Sequence, residues 1–272
     1  MKRKNFAEVL KNGKINYQDE YERLYVLFYG DTEGVPLQRT IRKCCEEFFL
    51  KYPFRGTCLT LDDFDETYGF DFECYPNQIF LEDLINFCEY TYNLVKYLDE
   101  YVLNLKSGES MISLLMHQVS MIVEKIGYMS SEDDGVTIFV PKVSEAIAVS
   151  EIIEGELSYK IIEYNHHLMH GDLSKKKQIL LLLASQLESR REEMKRVDKN
   201  LTDNIFFMFN NFELRHNNKD PQSKYYKEYV AKMPASRLEE LYDDTYQMCL
   251  LAFLEMDNVE RSKRIDREKR KV

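Results

Sequence analysis

From Ser144 onward the sequence repeats one pattern: apolar residues at every third or fourth position. Ala146 to Ile153 is short and apolar, and Leu157 to Met169 follows, ending at Gly171. Ser174 to Met194 carries Leu180, Leu183, Leu187 and Met194 at heptad-like spacing. Leu201 to about His216 is the next stripe. The last begins at Ser236 with Glu239, the spacing of a capping box. It continues through Leu238, Leu241, Thr245, Met248, Ala252, Phe253 and Met256. Successive amphipathic helices with short loops can bury such stripes only against one another, so a helical bundle is expected here.

The first half reads as helical too. Tyr17 to Phe28 has apolar residues at 17, 21, 24, 25 and 28. Pro36 suits a first helical position, and Ile41, Cys44, Cys45, Phe48 and Phe49 form a stripe to Tyr52, which Pro53 ends. Arg55 to Gln78 reads as a long connection with short strands. Ile79 to Leu105 reads as a long helix broken by Ser107-Gly108, and Ser110 to Ile126 as another. Val136 to Val140 is β-branched and aromatic, and is expected to pair with Tyr128 and Met129 across a turn-rich Ser130–Gly135, with Pro141 closing the hairpin. Ten glycines and six prolines are few for an all-β protein. The expected fold is mainly α: a helical N-terminal half, a helical bundle in the C-terminal half, and one small β-hairpin. The expected divisions are a mostly helical region 1–130, a bundle 131–260 and a basic tail 261–272.

No run of 18 apolar residues occurs, so no membrane span is expected. The basic start, MKRKNFAEVLKNGK, lacks a following apolar region, so no signal peptide and a cytoplasmic location are expected. Six cysteines (Cys44, Cys45, Cys58, Cys74, Cys88, Cys249) form no CxxC pair and read as reduced thiols rather than zinc ligands. The net charge of −10 is uneven. Asp62 to Glu100 holds eleven acids and one lysine, interleaved with aromatic residues. That stretch is either a surface for a basic protein partner or a solvated face over buried rings. Arg261 to Val272 holds seven bases and two acids. It suits phosphate, or equally a helix end where cations meet the dipole.

The chemistry concentrates in Asn210–Pro221, NNFELRHNNKDP. Leu201, Ile205, Met208 and Phe212 step along one helix face, and the next step lands on Arg215; Phe209 and Phe212 lead likewise to His216. A guanidinium on an apolar stripe needs partners. It is either a structural arginine bonded to helix-end carbonyls or an acidic neighbour, or part of a polar cleft for an anionic ligand such as nucleic acid. His166, His167 and His170, with Glu163, would share a helix face at metal-binding spacing, but the pattern is not HExxH, and no metal is expected. His117, alone in an apolar helix, reads as a core residue. Gly171-Asp-Leu-Ser-Lys-Lys-Lys177 lacks the features of a phosphate loop and reads as a C-cap glycine followed by an N-cap, Asp172 or Ser174. Lysines in a first turn oppose the helix dipole, which hints at an anion partner or a solvated face. No cofactor motif occurs.

Several segments between Tyr164 and Asn258 carry a resemblance. They are Tyr164-Asn-His-His, Gly171-Asp, Lys175-Lys-Lys-Gln-Ile-Leu, Leu187-Glu, Asn210 to Asn218, and Phe253-Leu-Glu-Met-Asp-Asn258. Together they resemble helical domains of bacterial abortive-infection (AbiJ-like) proteins and, more loosely, of the HEPN superfamily. HEPN ribonucleases use an arginine, a following polar residue, and a histidine four to six positions beyond the arginine. Arg215-His216 matches the first part; positions 219–221 are Lys, Asp and Pro, and no histidine follows His216. The resemblance implies a phage-defence protein and a homodimer. It also implies a metal-independent ribonuclease in which Arg215, His216 and Asn217 act on RNA that Asn211, Asn218, Lys175 and Lys176 hold. Arg215 would stabilise charge on the phosphate and His216 would move the proton. The alternative is a noncatalytic sensor or protein–protein interaction module of a defence or toxin–antitoxin system, with the acidic first half meeting the partner.

Overall fold

The computed structural model describes residues 15–30, 40–72, 78–98, 111–153 and 155–271. The chain divides into two compact units, 1–139 and 140–272, with the division inside a strand, between Phe139 and Val140. The sequence placed the change between residues 130 and 131. The described residues are mainly helical with one small two-stranded hairpin, as expected.

In the first unit α1 is Tyr17–Tyr29, α2 Ile41–Phe48, α3 Leu61–Tyr68, α4 Leu81–Tyr97 and α5 Met111–Lys125. Helices α1, α4 and α5 pack on one another. The α1 stripe buries Tyr21, Leu24 and Phe28. It meets Leu84, Phe87, Cys88 and Leu94 of α4 and Leu115, Val119 and Ile122 of α5. Phe28 meets Phe87 edge to face at 6.2 Å, the arrangement aromatic quadrupoles favour. The connection after Arg55 holds a helix, α3, and no strand among its described residues. Thr60 Oγ1 accepts from the Asp63 N–H at 3.0 Å to start it, and Gly69, at φ 74°, ends it. The expected helix from Ile79 is described to Leu98; its continuation to Leu105, the Ser107-Gly108 break and the Pro36 start lie outside the described residues.

Strands β1, Tyr128–Asp133, and β2, Val136–Pro141, form the hairpin. Ser130 to Asp133 belong to β1 rather than to the turn, which shrinks to Asp134-Gly135. Both turn residues have positive φ, 48° and 84°, the twist that suits a tight hairpin. Asn93 of α4 pins β2: its amide donates to Thr137 O at 2.7 Å and its oxygen accepts the Thr137 N–H at 2.8 Å.

The second unit contains α6 Ser144–Ile152, α7 Glu156–Glu163, a 3₁₀ turn His167–Met169, α8 Leu173–Ser189 and α9 Arg191–Val197. There follow α10 Lys199–Asn211, α11 Glu228–Ala231 and α12 Ala235–Lys269. The 35-residue α12 is the spine, packing against α6, α8, α9 and α10. It buries Leu238, Tyr242, Tyr246, Cys249, Leu250, Phe253 and Met256.

Four details depart from the sequence reading. The stripe from Ser174 to Met194 is two helices, parted at Arg190. The Ser236–Glu239 capping box does not form: Pro234 precedes α12 with no side-chain cap, because Glu239 turns to Gly171 and Lys176 instead. Residues 261–269 continue α12 rather than forming a separate tail. Helix α10 stops at Asn211, so Arg215 and His216 lie beyond it, not on its stripe.

Candidate functional site

The loop after α10 is organised by a reciprocal clasp. Glu213 sits at φ 60°, a left-handed conformation rare for a residue with a Cβ. Its N–H donates to Asn218 Oδ1 at 2.8 Å, while its carboxylate accepts the N–H groups of Asn218 at 2.6 Å and Lys219 at 2.9 Å. Asn218 is fully buried. Its amide donates to Tyr225 O at 2.8 Å, and its carbonyl accepts from Lys227 N at 2.8 Å. Asn218 therefore closes the loop upon itself. Asn211 bonds back into its own helix, to Phe207 O at 2.7 Å.

Arg215 leaves this clasp and lies against α8. Its Nη1 is 2.6 Å from Glu188 Oε2 and its Nη2 donates to Ala184 O at 3.2 Å. The guanidinium lies 5.2 Å from the Phe209 ring centre and 5.4 Å from that of Phe206. Arg191 shares both partners, 3.4 Å from Glu188 and 4.2 Å from the Phe206 ring. Of the two partners that the structural-arginine reading offered, the acidic neighbour is present as Glu188, and the carbonyl that Arg215 meets, Ala184 O, lies within α8 rather than at its last turn.

His216 stacks on Tyr225 with ring centres 3.8 Å apart and planes 12° apart, and Lys224 Nζ lies 4.8 Å from the same tyrosine ring. Asn217 is exposed and turns to Asp220: the Asp220 N–H donates to its oxygen at 3.1 Å. Asn211, Arg215, His216, Asn217 and Asn218 thus share one loop and its helix end.

The two lysines are elsewhere. Lys175 and Lys176 open α8, whereas Arg215 touches that helix at Ala184 and Glu188, about 12–20 Å further along its axis at 1.5 Å per residue. Asp172, not Ser174, caps the helix, accepting the Lys175 N–H at 2.9 Å. Lys175 is exposed, 3.4 Å from Asp172. Lys176 is buried; its ammonium meets Glu239 at 2.8 Å and Asp243 at 2.7 Å. Of the two readings of the first-turn lysines, Lys175 fits the solvated face, and Lys176 finds its anions inside the protein. Tyr164 completes the group by donating to Asp243 at 2.9 Å while its ring stacks on Tyr246 at 3.9 Å. Burial, then the Asp243 charge, pushes the Tyr164 hydroxyl well above its ordinary range. For Glu239, burial acts upward but is outweighed by the Lys176 hydrogen bond, the Gly171 N–H and the Lys176 charge, which hold the carboxyl below the usual range.

The three neighbouring histidines do not share a helix face. Helix α7 ends at Glu163, and His166 caps the 3₁₀ turn, its Nδ1 accepting from Leu168 N at 3.2 Å. Glu163 lies 2.8 Å from Lys160. His117 is exposed on α5 rather than a core residue.

Sequence reasoning missed the most buried arginine among the described residues. Arg42 on α2 has only 8% of its surface exposed. It reaches Asp62 at 2.6 Å, Asp65 at 2.8 Å, Glu46 at 3.1 Å and the Tyr90 hydroxyl at 3.0 Å. Burial works against its charge, but Tyr90 and Asp65 outweigh it and hold the guanidinium protonated. The available signal was Asp62-Asp63-Phe-Asp65 beside an apolar stripe interrupted by an arginine. Much of the acidic stretch has such internal work: Asp63 accepts Leu59 N, Asp83 accepts Phe80 N and Glu89 accepts Phe139 N.

Compared with protein-family models, with curated proteins and with solved structures, the chain matches none. Among the described residues no helix is long and apolar enough to cross a membrane.

Proposed function

We propose that the chain is a noncatalytic helical interaction module of the kind that serves defence or toxin–antitoxin systems, with the loop after α10 as a recognition surface. One observation carries the noncatalytic reading. The Arg215 guanidinium is engaged by Glu188, Ala184 O and two phenyl rings, so both of its terminal nitrogens have partners within the bundle. An arginine that stabilises a reacting phosphate must direct its donors toward the position where charge develops. Asn218, fully buried and hydrogen-bonded on every side chain atom that can bond, has no donor to offer a ligand either. Beside exposed polar residues such as Asn217, Gln222 and Lys224, the loop and the short helix after it expose three tyrosines: Tyr225, Tyr226 and Tyr229 are 40%, 38% and 69% exposed. Tyrosine is enriched where proteins bind one another. The defence setting rests on the sequence resemblance alone.

A metal-independent ribonuclease centred on His216 is the second reading. It is favoured by the accessible Asn217 beside it and by a ring held at a fixed angle on Tyr225. One experiment separates the two. Arg215→Ala and His216→Ala are compared with the parent for melting temperature and for cleavage of a fluorogenic RNA on the same samples. The noncatalytic reading expects Arg215→Ala to cost about 1–3 kcal/mol, because Glu188 and the Ala184 carbonyl lose a partner, with no cleavage by any of the three. Cleavage by the parent that disappears in His216→Ala at an unchanged melting temperature would establish the nuclease instead.

A further inference from the structure

The last turns of α12 leave the core behind. Met256 is the last fully buried residue of the helix, and every described side chain from Glu260 to Lys271 is exposed. A helix stretch that buries nothing gains no stability from packing, so its surface is free to serve something else. That surface is basic, with seven Lys and Arg to three Asp and Glu over Glu260–Lys271.

The charges are sorted, not mixed. At 3.6 residues per turn, Lys263, Arg264, Arg267, Arg270 and Lys271 fall within about 120° of the circumference, with Glu260 the one acid among them. Arg261, Ile265, Asp266, Glu268 and Lys269 occupy the rest. The acids are taken by neighbours one turn away: Asp257 by Arg261, Glu260 by Lys263, Asp266 by Lys269 and Glu268 by Lys271. Arg264, Arg267 and Arg270 form no ion pair with any described residue. These three sit three residues apart and form one ridge, about 9 Å from first to last at 1.5 Å per residue.

We propose that this arginine ridge is a docking surface for the phosphodiester backbone of nucleic acid. The occupant follows from charge and shape. Three guanidiniums in a row over about 9 Å span two to three steps, and so three to four consecutive phosphates, of a strand that advances about 3.4 Å per charge. Arginine rather than lysine stands at all three unpaired positions, and its planar fork suits phosphate oxygens. Contacts to phosphate carry no sequence information, so the ridge is expected to hold the backbone without regard to sequence. The ridge shares no residue with the loop after α10, and its role does not depend on whether that loop is catalytic.

The test is fluorescence anisotropy on the full chain with a labelled mixed-sequence RNA single strand and, in parallel, a DNA duplex, over a salt series. Both share the phosphodiester chemistry, and the tighter of the two identifies the source. The triple variant R264Q/R267Q/R270Q keeps good helix formers and touches no core residue, so circular dichroism and melting temperature are expected to match the parent. It is expected to bind at least tenfold more weakly at 50 mM salt. The log–log salt slope should shrink by about 2 on the single strand, or somewhat more on the duplex. The double variant R261Q/K269Q, on the other face, is expected to stay within about twofold. No binding by the parent to either probe would overturn the proposal, as would equal binding by the triple variant. A loss in the double variant matching that of the triple would show that net charge alone matters, and would overturn it too. So would a parent that self-associates through the ridge, seen as a dimer-to-monomer change in sedimentation of the triple variant with nucleic-acid binding unaltered.

Discussion

Glu213 holds a backbone angle that a residue with a Cβ adopts at a cost, and the bonds to Asn218 and Lys219 offset it. The loop's order therefore hangs on Asn218. Asn218→Ala is expected to cost about 1–3 kcal/mol, because the Glu213 N–H and the Tyr225 carbonyl each lose a partner; urea denaturation reads this directly, and an unchanged midpoint would show that the clasp contributes nothing. Lys176 is a second such residue. Lys176→Met leaves Glu239 and Asp243 facing one another without a cation and is expected to cost about 2–4 kcal/mol, somewhat below a fully buried pair because Asp243 is half exposed. The pH sign follows from Glu239. Its carboxyl is held below the ordinary value of 4.5, so the folded state gains from its charge above that pH and loses the gain as pH falls through the lower, folded value. Stability of the parent should therefore drop more steeply between pH 5 and pH 3 than that of Glu239→Gln; parallel curves would remove Glu239 from the account. Cys45, Cys88 and Cys249 are buried thiols outside any disulfide, and burial pushes each of them up. They should react with a thiol reagent only after denaturation.

At the scale of elements, the hairpin turn is the most exacting piece. Gly135 stands at φ 84°, and a Cβ there would meet the Phe54 ring at 3.4 Å. Gly135→Ala should lower the melting temperature, by about 1–2 kcal/mol of stability from the backbone angle alone. Periodicity made α1, α5 and α12 legible, because their stripes run uninterrupted into a core. It also suggested that α10 continued to Arg215, since Phe212 and Arg215 keep the step. What ended α10 was a pair of long side chains, Glu213 and Asn218, reaching across five residues, and no local propensity records that. Helix α3 was hidden for a related reason. Its eight residues bury chiefly Leu61, too little to make a stripe, and only Thr60 and Gly69 marked its ends. Arg215 and His216, read as the end of the helical stripe, lie instead in the loop beyond it. The partners of Arg215 could not be read, since Glu188 and Ala184 come from a helix whose orientation no local pattern records.

Across the whole molecule, each unit has its own apolar core, and the second is expected to melt cooperatively when produced as residues 142–272. A broad, noncooperative transition in circular dichroism would show that it depends on the first. Buried ion pairs recur in both units, Arg42 with Asp65 and Lys176 with Glu239, and both escaped a reading of apolar periodicity because charges that close on each other over long sequence separations leave no local mark. The spine helix has one more consequence. Helices α6 to α10 leave the ribosome before α12, yet Leu180, Leu183, Ile205 and Phe209 belong to a core that α12 completes. Until residues 235–256 clear the exit tunnel, the nascent chain carries an apolar surface with nothing to close it, and a chaperone that holds such surfaces has its longest opportunity during that interval.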